Sequence, residues 1–201
     1  MRTPYRTLIT AAALLLVFPM PAQAQHRRSG IREVSRNYRD GAWFAFGIGR
    51  GEESYRFTDV PDNYSTEVSA PTLSLRLGGT PSQHWTLGGE LFAWFHDLPD
   101  RSSETLGSAM FIAQFYPASR AGLFLKGGAG FAGAYMETEV SPNVVITGEE
   151  GGFATVLGVG YDIRVGRNVS ITPTLDWHHQ FYDRSDVRER IVSLGVGVTF
   201  H

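Results

Sequence analysis

The sequence contains no cysteine among its 201 residues. Disulfides, thiolate chemistry and lipid attachment through an N-terminal cysteine are therefore excluded. The chain also lacks a strong charge of either sign, since its formal net charge is −2, and a basic surface for nucleic acid is not expected. No long apolar run follows Phe18. This argues against transmembrane helices but not against membrane-spanning strands, in which alternate residues are polar.

The first 24 residues are organised like a secretory signal peptide. Arg2 and Arg6 give a positive start, an apolar run follows, and Ala22 and Ala24 form a small-x-small cleavage site. The alternative, an uncleaved N-terminal anchor, is disfavoured because the apolar run is short for a membrane span. We therefore expect residues 1–24 to be removed after secretion to the periplasm.

Residues 25–40 differ in composition from the rest of the chain. They contain five arginines, among them Arg39, and few apolar residues. Contact with anionic lipid headgroups is one interpretation of such a segment, but a solvated basic periplasmic arm is favoured. Residues 41–201 then predict a single domain.

The clearest periodicity lies in residues 189–200. Bulky apolar side chains alternate there with small or polar ones, which is the period of a β-strand. A soluble barrel fills its interior with bulky side chains, whereas one face of this strand carries little but Gly, Ser and Thr. Such a strand suits lipid on the bulky face and a polar lumen on the other. The residues predicted to face lipid are Val192, Leu194, Val196, Val198 and Phe200.

Seven further segments alternate in a similar way, and the links between them differ in length. The links after the second, fourth and sixth strands are short and those after the first, third and fifth are long, as in outer-membrane barrels with short periplasmic turns. An even number of strands permits antiparallel closure, which is needed because lipid cannot satisfy an open sheet edge. The sequence thus predicts an all-β fold, an eight-stranded antiparallel up-and-down transmembrane β-barrel. The predicted strands are 41–50, 70–79, 84–96, 105–116, 122–136, 152–165, 169–181 and 189–200.

Six charged residues fall on the inward parity of these strands. Three are positive and three are negative, and they are expected to pair because an unpaired buried charge is costly. A charge-lined conduction path or binding site is the alternative to a structural salt-bridge network. The network is favoured, without an open channel, because eight strands enclose only enough space for side chains. The residues are Arg76, Glu90, Lys126, Asp162, Arg164 and Asp176.

Three internal segments, Gln114–Pro117, Gly122–Phe131 and Gly158–Trp177, and the C-terminal strand share their pattern with a known family. Through them, residues 41–200 resemble the small eight-stranded outer-membrane β-barrels, which include OmpA/OmpX-type domains and opacity-like porins. The resemblance implies an integral outer-membrane location, contact with lipid and lipopolysaccharide, and delivery by periplasmic chaperones and the barrel-assembly machinery. It also implies a C-terminal assembly signal, although His201 follows the usual terminal aromatic residue. The matching positions are Ser193, Gly195, Val198 and Phe200.

Two motifs that elsewhere bind ligands lie in an unsuitable context. Gly128, Gly130 and Gly133 match the dinucleotide-binding fingerprint, but they lie within a predicted strand that no helix follows. His178 and His179 point to opposite faces of a strand and cannot hold one metal ion together. We therefore assign no catalytic, cofactor-binding or metal-binding residue from the sequence, and we expect no cofactor.

Two classes of function remain open. The first is a non-enzymatic outer-membrane barrel that supports envelope integrity or surface interaction, adhesive or porin-like, through acidic extracellular loops with an unidentified ligand. The second is a lipid A-modifying enzyme, a deacylase or acyltransferase, which needs a serine paired with a histidine. Its deacylase members carry His-x-Ser on a late strand, whereas this chain reads WHHQFYD, so the first class is favoured. A soluble periplasmic binding barrel is a third alternative. The acidic residues assigned to the first and third long loops are Glu52, Glu53, Asp59, Asp62, Glu137, Glu139, Glu149 and Glu150.

Overall fold

The computed structural model describes residues 39–57, 68–98, 102–141, 144–182 and 187–201. Within these ranges the chain forms nine β-strands, and the short β7 continues β6 beyond a one-residue break. No helix in the described residues is long and apolar enough to cross a membrane. The strands are β1 (Gly41–Phe57), β2 (Val68–Ser82), β3 (Trp85–Asp97), β4 (Ser102–Phe115), β5 (Leu123–Ser141), β6 (Val144–Tyr161), β7 (Ile163–Arg164), β8 (Val169–Tyr182) and β9 (Val187–Phe200).

The strands close into an antiparallel ring. Neighbours along the chain pair with one another from β1 to β6, β6 and β7 both pair with β8, and β9 pairs with β8 and with β1. When β6 and β7 are counted as one wall strand, this is the eight-stranded up-and-down barrel that the sequence predicts. Because the first and last strands pair, the described sheet has no open edge, which is the condition for a sheet in lipid.

The exterior of the ring is apolar, and the predicted alternation is confirmed. All five residues of the C-terminal strand that are predicted to face lipid are exposed, and exposure reaches 78% for Phe131 and 67% for Leu194. In water this band would be a large apolar patch, whereas hydrocarbon solvates it favourably. Met110 and Ile112, which blur the pattern of β4, point into the lumen and are buried, while Phe111 between them is exposed.

Short turns connect the strands at one end of the ring, which we call the short-turn end. They comprise residues 83–84, 116–122 and 165–168, near the short links that the sequence predicts. Such turns satisfy backbone hydrogen-bonding groups within the turn itself. For example, the Ala121 amide donates to the Ala118 carbonyl at 3.0 Å. We call the opposite end the rim end.

The strands at the rim end are longer than predicted. β1 continues to Phe57, and β5 and β6 reach Ser141 and Val144, so that only residues 142–143 separate them. The prediction of a long loop over 137–150 is therefore wrong, since most of that stretch is a strand hairpin. Beyond the apolar band both faces of a hairpin meet water, so the backbone ladder continues while the side-chain alternation fades.

The longer strands also correct the placement of the acidic residues that the sequence analysis assigns to loops. Asp59 and Asp62 lie outside the described residues. The remaining six lie on strands: Glu52 and Glu53 on β1, Glu137 and Glu139 on β5, and Glu149 and Glu150 on β6.

Candidate functional site

The middle of the lumen holds a network of four charged side chains. The Nζ atom of Lys126 lies 2.6 Å from Glu90 Oε2 and 3.0 Å from Asp176 Oδ1. Arg76 Nε lies 3.9 Å from the same Glu90 oxygen. The four residues come from β2, β3, β5 and β8, so the network crosses the lumen with two charges of each sign. All four are buried, and their pairing offsets part of the free energy needed to remove each ion from water.

A glycine allows the centre of this network to form. Gly158 of β6 lies in the ladder between Lys126 of β5 and Asp176 of β8. A Cβ atom at position 158 would collide with the Asp176 carboxylate. Any larger side chain there would therefore separate the ammonium from the carboxylate. Lys126 is the only lysine in the chain, and its compact ammonium donates in three directions rather than in the planar fork of arginine.

An aromatic stack closes the lumen next to the network. The rings of Phe92 and His178 lie 3.8 Å apart, with 18° between their planes. Phe92 belongs to β3 and His178 to β8, which are four positions apart in a ring of eight and therefore on opposite walls. The stack thus spans the full width of the lumen. Sequence parity places both residues inward, but parity does not show which inward residues meet.

An apolar layer fills the lumen on the rim side of the stack. Trp94 is fully buried with Leu106 and Ile191, and its Nε1–H donates to the Gly51 carbonyl at 3.1 Å. A tryptophan in a core normally has such a partner for its one polar group. Phe92 and Trp94 interrupt the otherwise polar inward face of β3, and together they form the packing that closes the lumen.

The lumen also has a small polar cavity between β1, β2, β8 and β9. Its volume is about 10 Å³, and its lining includes Thr72, Ser74, Asp176 and Ser193. The hydroxyl oxygens of Thr72 and Ser193 lie 3.1 Å apart and share a hydrogen bond. A space of this size holds about one water molecule.

Asp162 joins a second cluster, at the short-turn end, instead of the central network. Its carboxylate accepts hydrogen bonds from Tyr116 Oη at 3.0 Å and Thr172 Oγ1 at 2.9 Å. Arg39 Nε lies 3.7 Å and His201 Nε2 3.5 Å from Asp162 Oδ2. The break between β6 and β7 places this carboxylate at the end of the lumen, where the backbone amide of Asp162 donates to the Gly122 carbonyl at 2.9 Å.

Arg39 corrects the prediction of a solvated basic arm at this residue. Its side chain is fully buried, and its guanidinium carbon lies 3.5 Å above the centre of the Tyr116 ring. The Nη2 group donates to the Ala121 carbonyl at 2.8 Å. The four other arginines of the predicted arm lie outside the described residues.

Arg164 lies at the same end but outside the central network. It is half-buried on β7, and its Nη1 donates to the carbonyl of Arg167 at 3.1 Å. Of the six charges predicted to line the lumen, the structure brings together Arg76, Glu90, Lys126 and Asp176, and it places Asp162 and Arg164 at the short-turn end.

A cluster of carboxylates lines the lumen at the rim end, beyond the apolar band. Burial, and then repulsion from Glu104, raises the pKa of Glu53 to about 7. Burial, and then repulsion from Glu53 and Glu104, raises the pKa of Glu189 to about 8. Burial also raises the pKa of Glu104, although His96 opposes this shift. Across the described ranges, no three acidic or histidine side chains are arranged to hold a metal ion.

The predicted assembly-signal residues lie at the β1–β9 seam. Ser193 and Gly195 are on the inward parity, whereas Val198 and Phe200 face outward. The Phe200 ring lies 6.3 Å from that of Phe44 across the seam. Their role as a signal stays a prediction, and the cleavage-site residues Ala22 and Ala24 lie outside the described residues.

Solved structures with the same architecture are outer-membrane barrels. Ail, the attachment invasion locus protein of Yersinia pestis, superposes with a TM-score of 0.56 at 14% identity, covering 80% of this chain and 99% of Ail. Neisserial surface protein A superposes with a TM-score of 0.54 at 12% identity, covering 80% of this chain and 99% of that protein. No protein-family model and no curated relative matches the sequence. The closed ring and these superpositions identify the fold as that of the small eight-stranded outer-membrane barrels, and the apolar exterior of the ring suits a surrounding of lipid.

Proposed function

We propose that the protein is a non-enzymatic barrel with a closed lumen, and that it acts through the surface presented at the rim end. The Phe92–His178 stack carries this proposal because it joins opposite walls of the ring. The charge network beside it is balanced and buried, which supports a structural role for the lumen. Both features are the kind of packing expected in an eight-stranded barrel, which has only enough interior space for side chains.

The β5–β6 hairpin supports a role in surface interaction. Beyond the apolar band it exposes 48% of Met136 and 60% of Ile146. Met136 lies opposite Gly148 and Ile146 opposite Thr138, so the two apolar side chains are neighbours on one face of the hairpin. Contiguous apolar patches exposed to water are typical of protein-binding surfaces, and these two neighbouring side chains give the hairpin a small patch of this kind. A partner protein, rather than a transported solute, is the ligand class that this arrangement favours.

Recording from planar lipid bilayers tests the closed lumen. The refolded protein should give no discrete current steps, whereas a large porin reconstituted in the same way supplies the positive control. Reproducible unitary openings of the wild-type protein would contradict the proposal. A Phe92→Ser, His178→Ser variant removes the stack and should increase ion leakage relative to the wild-type barrel.

Incubation with lipid A tests the enzymatic alternative. His178 is enclosed in the aromatic stack and not exposed to the lipid phase, and the outward His179 is flanked in the ladder by Thr155 and Arg190 rather than by a serine. Mass spectrometry of lipid A incubated with the purified protein should therefore show unchanged acyl chains. Loss or gain of an acyl chain that depends on the folded protein would place it among the lipid A-modifying barrels.

A further inference from the structure

A shallow apolar groove crosses the outer wall where the first and last strands meet. Its outward lining includes Ile48, Leu73, Leu194 and Val196, with prolines at either side. Pro71 on β2 and Pro173 on β8 are exposed, and their compact rings stand among larger leucine and isoleucine side chains. The wall is therefore recessed around the seam, within the band that faces hydrocarbon.

Arg50 lies at the rim-side edge of this groove. In the ladder it is flanked by Pro71 on β2 and Leu194 on β9, which both line the groove. Its side chain is exposed and shares the outward parity of Ile48. The other outward charge nearby on β1, Glu52, lies one step closer to the rim. Arg50 is therefore the first outward charge on β1 on the rim side of the apolar residues Phe44, Phe46 and Ile48.

The guanidinium of Arg50 is held in place by one residue. Its Nε donates to Ser69 Oγ at 2.6 Å and its Nη2 to the Ser69 carbonyl at 3.4 Å. Among the described residues no carboxylate lies within ion-pair distance of Arg50 and no contact engages its Nη1. An oriented arginine with an unused donor is suited to phosphate, which it binds through charge-assisted hydrogen bonds.

We propose that this groove is a binding site for a phosphorylated glycolipid of the outer leaflet, with a phosphate on Arg50 and an acyl chain between Pro71 and Pro173. The short-turn end then faces the periplasm and the rim end faces outward. A second cation lies further along the same wall, where Arg190 of β9 stands 5.8 Å from the centre of the Trp177 ring. Arg190 is four residues from Leu194, or ~13 Å along the strand, which extends the cationic edge toward the rim.

Lipid binding in neutral detergent tests the proposal. Purified barrel is titrated with diphosphoryl lipid A or with phosphatidylcholine, and retained lipid is counted by native mass spectrometry. Lipid A should be retained in preference to phosphatidylcholine. Arg50→Gln should weaken lipid A binding about tenfold, the loss expected for one charge-assisted contact, while Arg50→Lys keeps part of it. Arg167→Gln makes the same change in an exposed turn at the other end and should have no effect.

The apolar part of the site is tested separately. Leu73→Trp fills the groove and should lower lipid A retention, whereas Leu125→Trp adds the same bulk on β5, on the opposite wall, and should not. Equal lipid A binding by the wild type, Arg50→Gln and Leu73→Trp would overturn the proposal, as would equal binding of phosphatidylcholine. Each variant is first shown to fold by its heat-dependent migration in gels. A negative result would leave the closed lumen and the hairpin surface unaffected, because neither depends on Arg50.

Discussion

Replacing the central lysine tests the energetic role of the lumenal network. Lys126→Met keeps an unbranched chain but leaves Asp176 without its 3.0 Å partner and Glu90 with Arg76 alone at 3.9 Å. Removing one partner of a buried ion pair typically costs about 3–5 kcal/mol, because the other charge is left buried without compensation. Two carboxylates share this ammonium, so we expect the free energy of unfolding to fall by about 3–5 kcal/mol.

Urea unfolding of the barrel in micelles, followed by tryptophan fluorescence, measures this loss, since Trp43 and Trp94 are buried and report on lumenal packing. The double variant Lys126→Met, Asp176→Asn leaves one charge of each sign and should recover part of the loss, by about 1–3 kcal/mol. Arg167→Met, in an exposed turn, should change the free energy by less than about 0.5 kcal/mol. A loss below about 1 kcal/mol for Lys126→Met would match a solvated ion pair and refute a packed network.

Three further predictions concern the two ends and the core. Since Lys126 is the only lysine, a water-soluble amine reagent should leave it unmodified in the folded barrel and modify it after unfolding, as mass spectrometry of peptides would show. Arg39→Ala should destabilise the barrel by roughly 2 kcal/mol in urea, because it removes a buried cation from Asp162 and from the Tyr116 ring, while Arg39→Lys should lose less. The pKa of Glu53 is raised from 4.5 to about 7, and the pKa of Glu189 is raised from 4.5 to about 8. Between the unfolded and folded pKa values, the folded barrel therefore binds more protons than the unfolded chain. Stability should therefore fall as pH rises from 5 to about 8, and Glu53→Gln with Glu189→Gln should flatten that slope in thermal unfolding.

Facing direction could be predicted from the sequence because it depends on strand parity alone. The residues of β9 and β1 face as their alternation predicts, and Arg76, Glu90, Lys126 and Asp176 are all on the inward side. Even the ambiguous β4 follows this rule, with Met110 and Ile112 inward. Lipid outside and limited space inside require different side chains on the two faces of each strand. Outward and inward residues alternate along a strand, so this difference appears in the sequence as a period of two.

Which inward-facing side chains contact one another in the lumen could not be predicted from parity. Phe92 meets His178 because β3 and β8 are opposite in the closed ring, which depends on strand order and stagger together. Asp162 carries the inward parity of its strand, but the break after Tyr161 moves it away from Lys126 and toward Arg39. The rim hairpin cannot be predicted from the sequence for a different reason, since water on both faces removes the alternation that identifies a strand.

The cluster at the short-turn end gives the seam of the barrel a support that strand pairing alone does not provide. β1 and β9 come from opposite ends of the described chain, so their pairing closes the longest loop and carries the largest closure entropy. Arg39 lies just before β1 and His201 just after β9, and both approach the carboxylate of Asp162. A single acidic side chain between β6 and β7 therefore holds the two segments that flank the seam. This accounts for a buried, multiply hydrogen-bonded aspartate at the one place where the wall strand is interrupted.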